Sequence, residues 1–311
     1  MKICVFLLFL AAFSADPNAW AQKKRGYNMW AKERIRYLYN KVNLDPDDPH
    51  LRLLLANAYY ENKQNRDAQL QLEKALKLQP RFPEAHCNLG GILQAQGRMP
   101  EARHHYKESL RYDSTMVEAL SGLGTLLCRT DQEGEGLAYL ERVLELEPDL
   151  ANARFNIAVA YHKGGNYNKA IEHLNILLSQ NANYAGTQQA LAQAYYSQGL
   201  IYLLAQKPQE ALVVFAHSRQ QGNNDENIAF ATGLAHMYLE NYTGAETEFK
   251  KAIELEPDHV PALHNLASIY ERQERMSEAE HYYQLVHQLT PYLGSIEAAK
   301  HAKYDVEYLV K

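Results

Sequence analysis

The sequence predicts an all-α chain built from one helical hairpin repeated end to end. Three observations carry that prediction. The pentapeptide ELEPD occurs at Glu145–Asp149 and again at Glu254–Asp258, each time closing an apolar-periodic stretch. The prolines that follow such stretches keep step. Pro46 to Pro80 is 34 residues, Pro80 to Pro148 twice 34, Pro257 to Pro291 again 34, and Pro148 to Pro257 three times 34 plus seven. Third, residue size recurs within each 34-residue frame, small at two fixed positions and large at another. A proline ends a helix because its ring fixes φ and its nitrogen donates no hydrogen bond. Seven extra residues make about two turns, so they lengthen a helix without rotating its face much.

Residues 1–21 open with Lys2, run apolar from Ile3 to Phe13 and end in Ala19-Trp20-Ala21, an A-x-A cleavage pattern before Gln22. This reads as a secretory signal peptide, with an uncleaved anchor as the alternative. Eleven apolar residues are few for a spanning helix, and no later stretch is long and apolar enough. No integral membrane span is therefore expected after signal cleavage. The expected address is export, to a bacterial periplasm or otherwise by secretion. Residues 22–48 then read as a tail, QKKRG, followed by the second helix of a half repeat that covers the first full one.

Seven units follow, at 49–82, 83–116, 117–150, 151–184, 185–225, 226–259 and 260–293. In the last, Leu263, Leu266, Ala267 and Tyr270 fall at i, i+3, i+4 and i+7, one helical stripe. Ala279, Tyr283 and Val286 form a second stripe before Pro291. Position 8 is small in six units: Ala56, Gly90, Gly124, Ala158, Gly233 and Ala267. Position 20 is Ala or Gly, and position 24 is bulky: Leu72, Tyr106, Leu140, Leu174, Phe249 and Tyr283. Small residues let two helix backbones approach, and a large one fills the space beside them. The fifth unit, 185–225, carries the seven-residue insertion and is expected to have one long first helix, with Gly199 inside it against a neighbouring helix. Residues 294–311 are expected to form a capping helix with Ile296, Ala299, Ala302, Val306 and Leu309 on one side.

This pattern resembles the tetratricopeptide repeat family, whose 34-residue unit is small at positions 8 and 20 and large at 24. The poorest match is position 4, where Arg52, His86, Arg154 and Ala229 stand in place of a large apolar residue. The resemblance implies a right-handed superhelical solenoid, with first helices lining a concave groove through positions 2, 5, 6, 9, 12 and 13. It also implies a scaffold or adaptor that binds a protein or peptide. The groove residues it marks are Phe155, Asn156 and Val159 in the fourth unit, Tyr196, Leu200 and Leu203 in the fifth, and Phe230, Leu234, Met237 and Tyr238 in the sixth. They make an apolar stretch between polar ends, either open to a partner or buried by the long fifth helix. Asn88, Asn156 and Asn265 at position 6 are candidates for bonding a peptide backbone. The family's carboxylate clamp is not expected: Asn57 and Asn88 match it, but Leu53, Glu118 and Gly122 stand where its cations belong.

Little else carries chemistry. There is no HExxH, no close cysteine pair and no phosphate-binding glycine loop. No metal, no cofactor and no enzymatic activity are expected. Cys87 and Cys128 fall at positions 5 and 12 of adjacent units, about 10 Å apart along the helices, too far for a disulfide. A net charge of −5 gives no case for nucleic acid. Two functions remain: a groove that holds a partner for envelope assembly work (pilus, outer-membrane protein or polysaccharide export), or an architectural subunit that uses its convex face or ends.

Overall fold

The computed structural model describes residues 17–130, 132–293, 295–305 and 309, with side chains from residue 30 onward except at 299. The apolar run expected to be a signal peptide lies outside them. Every regular element among the described residues is a helix, and none is long and apolar enough to cross a membrane. The chain divides into two compact units, one running to residue 131 and the other starting at 132, a boundary that falls inside the repeat expected at 117–150.

The first unit holds α1 (Pro17–Leu44), α2 (Pro49–Glu61), α3 (Asn65–Leu78), α4 (Pro83–Ala95), α5 (Met99–Tyr112) and α6 (Val117–Arg129). Ile35, Leu38 and Val42 of α1 pack on Leu51, Leu55 and Ala58 of α2. Residues 22–26, expected to be a tail, lie inside α1. No proline interrupts 18–45, and Gly26 alone weakens the helix by only about 1 kcal/mol. Asp48 caps α2 by accepting from the amides of His50 (2.7 Å) and Leu51 (3.2 Å), with Pro49 at the first helical position.

The second unit holds α7 (Glu133–Leu146), α8 (Ala151–Lys163), α9 (Tyr167–Gln180), α10 (Thr187–Leu204), α11 (Pro208–Gln220), α12 (Glu226–Tyr238), α13 (Tyr242–Leu255), α14 (Val260–Arg272) and α15 (Met276–Leu289). A 3₁₀ turn at Pro291–Leu293 and a short α16 (Ile296–Lys300) follow. The lengthened α10 has 18 residues against 13 in α8, α12 and α14. It is a single helix, as the sequence implies.

The size pattern is a packing device. A Cβ added to Gly199 on α10 would lie 2.3 Å from the Phe215 ring on α11. At Gly233 on α12 it would meet the Phe249 ring of α13 at 2.5 Å, and at Gly90 on α4 the Tyr106 ring of α5 at 2.9 Å. Each ring comes 16 residues after its glycine and lies on the bare backbone. The deviant position 4 also has a reason. Arg52 donates to the Pro46 carbonyl, His86 Nε2 to that of Pro80 (3.1 Å) and Arg154 to that of Pro148 (2.6 Å). Each closes the turn six residues before it, work that a large apolar residue cannot do.

The turn inside most hairpins pivots on one left-handed residue: Lys63, Gly97, Gly165, Gln206, Glu240 or Glu274. Its amide and the next bond back to the helix carbonyls, as in Lys63 N to Tyr60 O and Gln64 N to Tyr59 O, both 2.9 Å.

The chain after α15 departs from expectation. Instead of one capping helix over 294–311, α16 ends at Lys300, and Ala302–Asp305 is not helical. In a continuing helix the Lys300 carbonyl would accept from the Tyr304 amide. His264 Nε2 takes that carbonyl instead, at 3.2 Å. Ile296, Tyr304 and Leu309 still cover the core of the last hairpins, whereas Val306 lies outside the described residues.

Candidate peptide-binding groove

The groove is lined by residues of α12 and α14. Leu234, Met237 and Tyr238 come from the last two turns of α12, and His264, Asn265 and Arg272 from α14. With Tyr242, Glu240 and residues 302–305 they line an open cavity of 440 Å³. Its walls mix apolar side chains with a few aimed polar groups, the make-up of a recognition pocket.

Asn265 stands at the centre. It is 7% exposed, and its Nδ2 donates to the Tyr304 backbone carbonyl at 2.7 Å. The Tyr304 ring stacks edge-on over His264, with centroids 5.2 Å apart. On its other side His264 meets Tyr283 at 5.7 Å. Burial pushes the Tyr283 phenol well above its usual range, and its hydroxyl donates to Glu271 at 3.0 Å. The groove therefore grips the end of α16 and the non-helical segment after it, through the Lys300 carbonyl at His264, the Tyr304 carbonyl at Asn265 and one aromatic ring. A side-chain amide that satisfies a backbone carbonyl reads main chain rather than sequence. The ring supplies what selectivity there is.

Four of the residues marked by the sequence meet here: Leu234, Met237, Tyr238 and Asn265. The others do not. Phe230 was expected in the open groove but is fully buried, its ring 5.6 Å from Phe249 and 5.1 Å from His259. It points between α13 and the start of α14, because every residue from Ile228 to Ala235 is enclosed. Leu200 and Leu203 of α10 belong to the same buried cluster, and Leu234 itself is only 4% exposed. At the α12–α14 cavity the accessible apolar surface is thus smaller than expected, with Tyr238 exposed and Met237 half-buried. Farther along the unit, Phe155 rests on Tyr184 (5.7 Å) and Tyr196 on Phe215 (6.1 Å), both half-buried. Asn156 is half-buried too, and Val159 is exposed. None of these borders the α12–α14 cavity.

Asn88 lies in the first unit, where its Nδ2 donates to Asn57 Oδ1 at 2.8 Å. The two asparagines, with Tyr60, Cys87, Tyr106 and Glu118, line a second cavity of 380 Å³. Their mutual bond uses one donor and one acceptor and leaves the others for a ligand. Neither Cys87 nor Cys128 is in a disulfide, and both are buried. Burial, aided by Glu118 and Glu84, pushes the Cys87 thiol up to about 12, which disfavours the reactive thiolate. Among the described residues no cluster of three metal-ligating side chains occurs. Sequence reasoning missed Tyr304, since a helical reading gave it no role. His264 stands at position 5 of the unit 260–293, one of the positions that the family resemblance turns toward the groove.

Comparison with known proteins agrees with this architecture. One tetratricopeptide repeat profile matches residues 53–116 and 230–293, and a second matches 131–194. The TPR repeat-containing protein YpiA of Bacillus subtilis is 22% identical over 232 residues, which are 74% of this chain and 53% of that protein. The CTR9 homolog of Arabidopsis thaliana is 25% identical over 291 residues, 89% of this chain and 26% of that protein. A peroxisomal targeting signal receptor of Candida albicans is 22% identical over 201 residues, 64% and 34% respectively. The chain thus spans between about a quarter and about half the length of these relatives. Among solved structures, the C-terminal part of a TPR repeat-containing protein from Cytophaga hutchinsonii superimposes with a TM-score of 0.56. It shares 18% identity, covering 80% of this chain and 98% of that one. With the 34-residue frame, the ring-on-glycine hairpins and profile matches over more than half its length, the chain belongs to the tetratricopeptide repeat family.

Proposed function

We propose that this protein is a non-catalytic adaptor that holds an extended segment of a partner protein in the groove between α12 and α14. Tetratricopeptide repeats generally mediate protein–protein interaction and scaffolding, and that general role frames the reading. The observation that carries it is the pair of bonds from His264 and Asn265 to the carbonyls of Lys300 and Tyr304. These are peptide-holding contacts, and a partner's main chain offers the same carbonyls. The name of the Candida albicans relative, a targeting-signal receptor, is compatible with such a groove. The apolar run Ile3–Phe13 with Ala19-Trp20-Ala21 supports export, to a bacterial periplasm before other destinations, and there a role in envelope assembly.

The experiment is site-specific photo-crosslinking from Tyr238, which is 37% exposed at the cavity, followed by mass spectrometry of the captured protein. Phe230 is unsuited because it is enclosed. One dominant partner at Tyr238, lost in Asn265→Ala, supports the reading. The second reading, an architectural subunit without a peptide ligand, is favoured by the chain's own residues 302–305 already lining the groove. Crosslinks recovered only from a convex control site would establish it instead.

A further inference from the structure

We propose that the outer face of α1 is a docking surface for an anionic membrane, which holds the protein at a lipid surface by one helix. The first observation is charge. Pro17–Leu44 carries seven cations, Lys23, Lys24, Arg25, Lys32, Arg34, Arg36 and Lys41, against the single acid Glu33. The whole chain has net charge −5, so α1 is +6 and the remainder −11. A cationic helix on an acidic protein concentrates attraction for a negative surface in one element and lets the rest be repelled from it.

The second observation is an exposed apolar stripe on that same helix. Trp30, Tyr37 and Leu44 recur every seven residues and are 55%, 60% and 82% exposed. At about 100° per residue they stay on one side, roughly a third of a turn from the inner stripe of Ile35, Leu38 and Val42 that packs on α2. Arg34 lies over the Trp30 ring at 5.6 Å and Lys41 over Tyr37 at 5.8 Å. Aromatic rings flanked by Arg and Lys are the side chains that sit at the boundary between headgroups and acyl chains. In a two-fold contact a second copy would bring an equally cationic α1 against the stripe, so charge disfavours pairing of α1 with α1 and favours an anionic lipid surface.

The test uses the full chain and sedimentation with vesicles of phosphatidylethanolamine and phosphatidylglycerol, against vesicles of phosphatidylcholine alone. The expected result is binding to the anionic vesicles only, weakened by added salt. Two variants keep residues 1–16 intact: Trp30→Ser/Tyr37→Ser/Leu44→Ser on the stripe, and Lys32→Glu/Arg36→Glu/Lys41→Glu on its flanks. All six side chains are exposed, and circular dichroism checks that both variants fold. Each is expected to lose about tenfold or more in affinity. No binding to anionic vesicles overturns the proposal. Unchanged binding by both variants also overturns it, by assigning attachment to the apolar run at residues 3–13. Sedimentation equilibrium showing a dimer that the stripe variant abolishes, without vesicle binding, would give the face to a second copy.

Discussion

The ring of Phe215 occupies the place where any side chain at position 199 would begin, 2.3 Å from a Cβ built on Gly199. Phe215 is 1% exposed, so its ring has nowhere to retreat. Gly199→Ala is expected to lower stability by about 1–3 kcal/mol, although alanine is the better helix former. Urea unfolding measures this. Pairing it with Phe215→Leu should recover part of the loss, because the smaller side chain frees the space. If Gly199→Ala alone stabilises the protein, the contact is not tight.

Left-handed turn residues lead to the opposite expectation. Lys63 (φ 61°) and Glu274 (φ 59°) hold a conformation that strains any L side chain. Lys63→Gly and Glu274→Gly are each expected to stabilise by about 0.5 kcal/mol, after the extra chain entropy of glycine is counted. Thermal melts of the two single variants and the double variant check both the sign and the additivity.

His86 and His105 bind each other Nδ1 to Nδ1 at 3.0 Å. Since His86 Nε2 donates to the Pro80 carbonyl, its Nδ1 must be the acceptor and His105 the donor. Burial lowers both, His105 to about 4, with each other's charge and that of His104 adding to the effect on His105. The unfolded chain therefore takes up protons that the folded one refuses. Stability should be full above about pH 6.5 and decline as pH falls toward 4. His105→Gln should flatten that dependence between pH 7 and 5, measured by urea midpoints. A profile identical to wild type would show that the pair does not titrate as described.

Cys87 and Cys128 should both be silent to a thiol reagent in the native protein at pH 8 and react fully in urea. Cys4 is replaced by serine for the assay. Rapid native labelling of Cys87 would contradict both its burial and its raised pKa.

Asn265→Ala removes the donor to Tyr304 and should loosen the segment after α16 without unfolding the hairpins. Limited proteolysis is expected to cut near Lys303 several-fold faster in the variant, with an unchanged thermal midpoint. Equal rates would mean that the bond does not hold the segment.

The hairpins were legible because each depends on residues within one 34-residue frame. Gly199 and Phe215 are both visible as departures in size, and their partnership follows from a fixed offset. The groove was less legible. Phe230 and Leu234 are one helical turn apart on α12, yet Phe230 is sealed behind Phe249 and His259 and Leu234 reaches the cavity. A small rotation of the helix decides between those fates, and periodicity does not resolve it. Tyr304 was invisible for a different reason. Its contact with Asn265 spans 39 residues and works by bending the chain out of the helix that its own pattern suggests.

The ring-on-glycine pairs 90/106, 199/215 and 233/249 each join residues only 16 apart. A hairpin so closed needs nothing from the far end of the polypeptide to make its principal contact. Contacts of such short range lower the entropy lost on closure and favour fast folding. As the chain is synthesised, each of these hairpins can latch when its ring residue appears, before the next has been made.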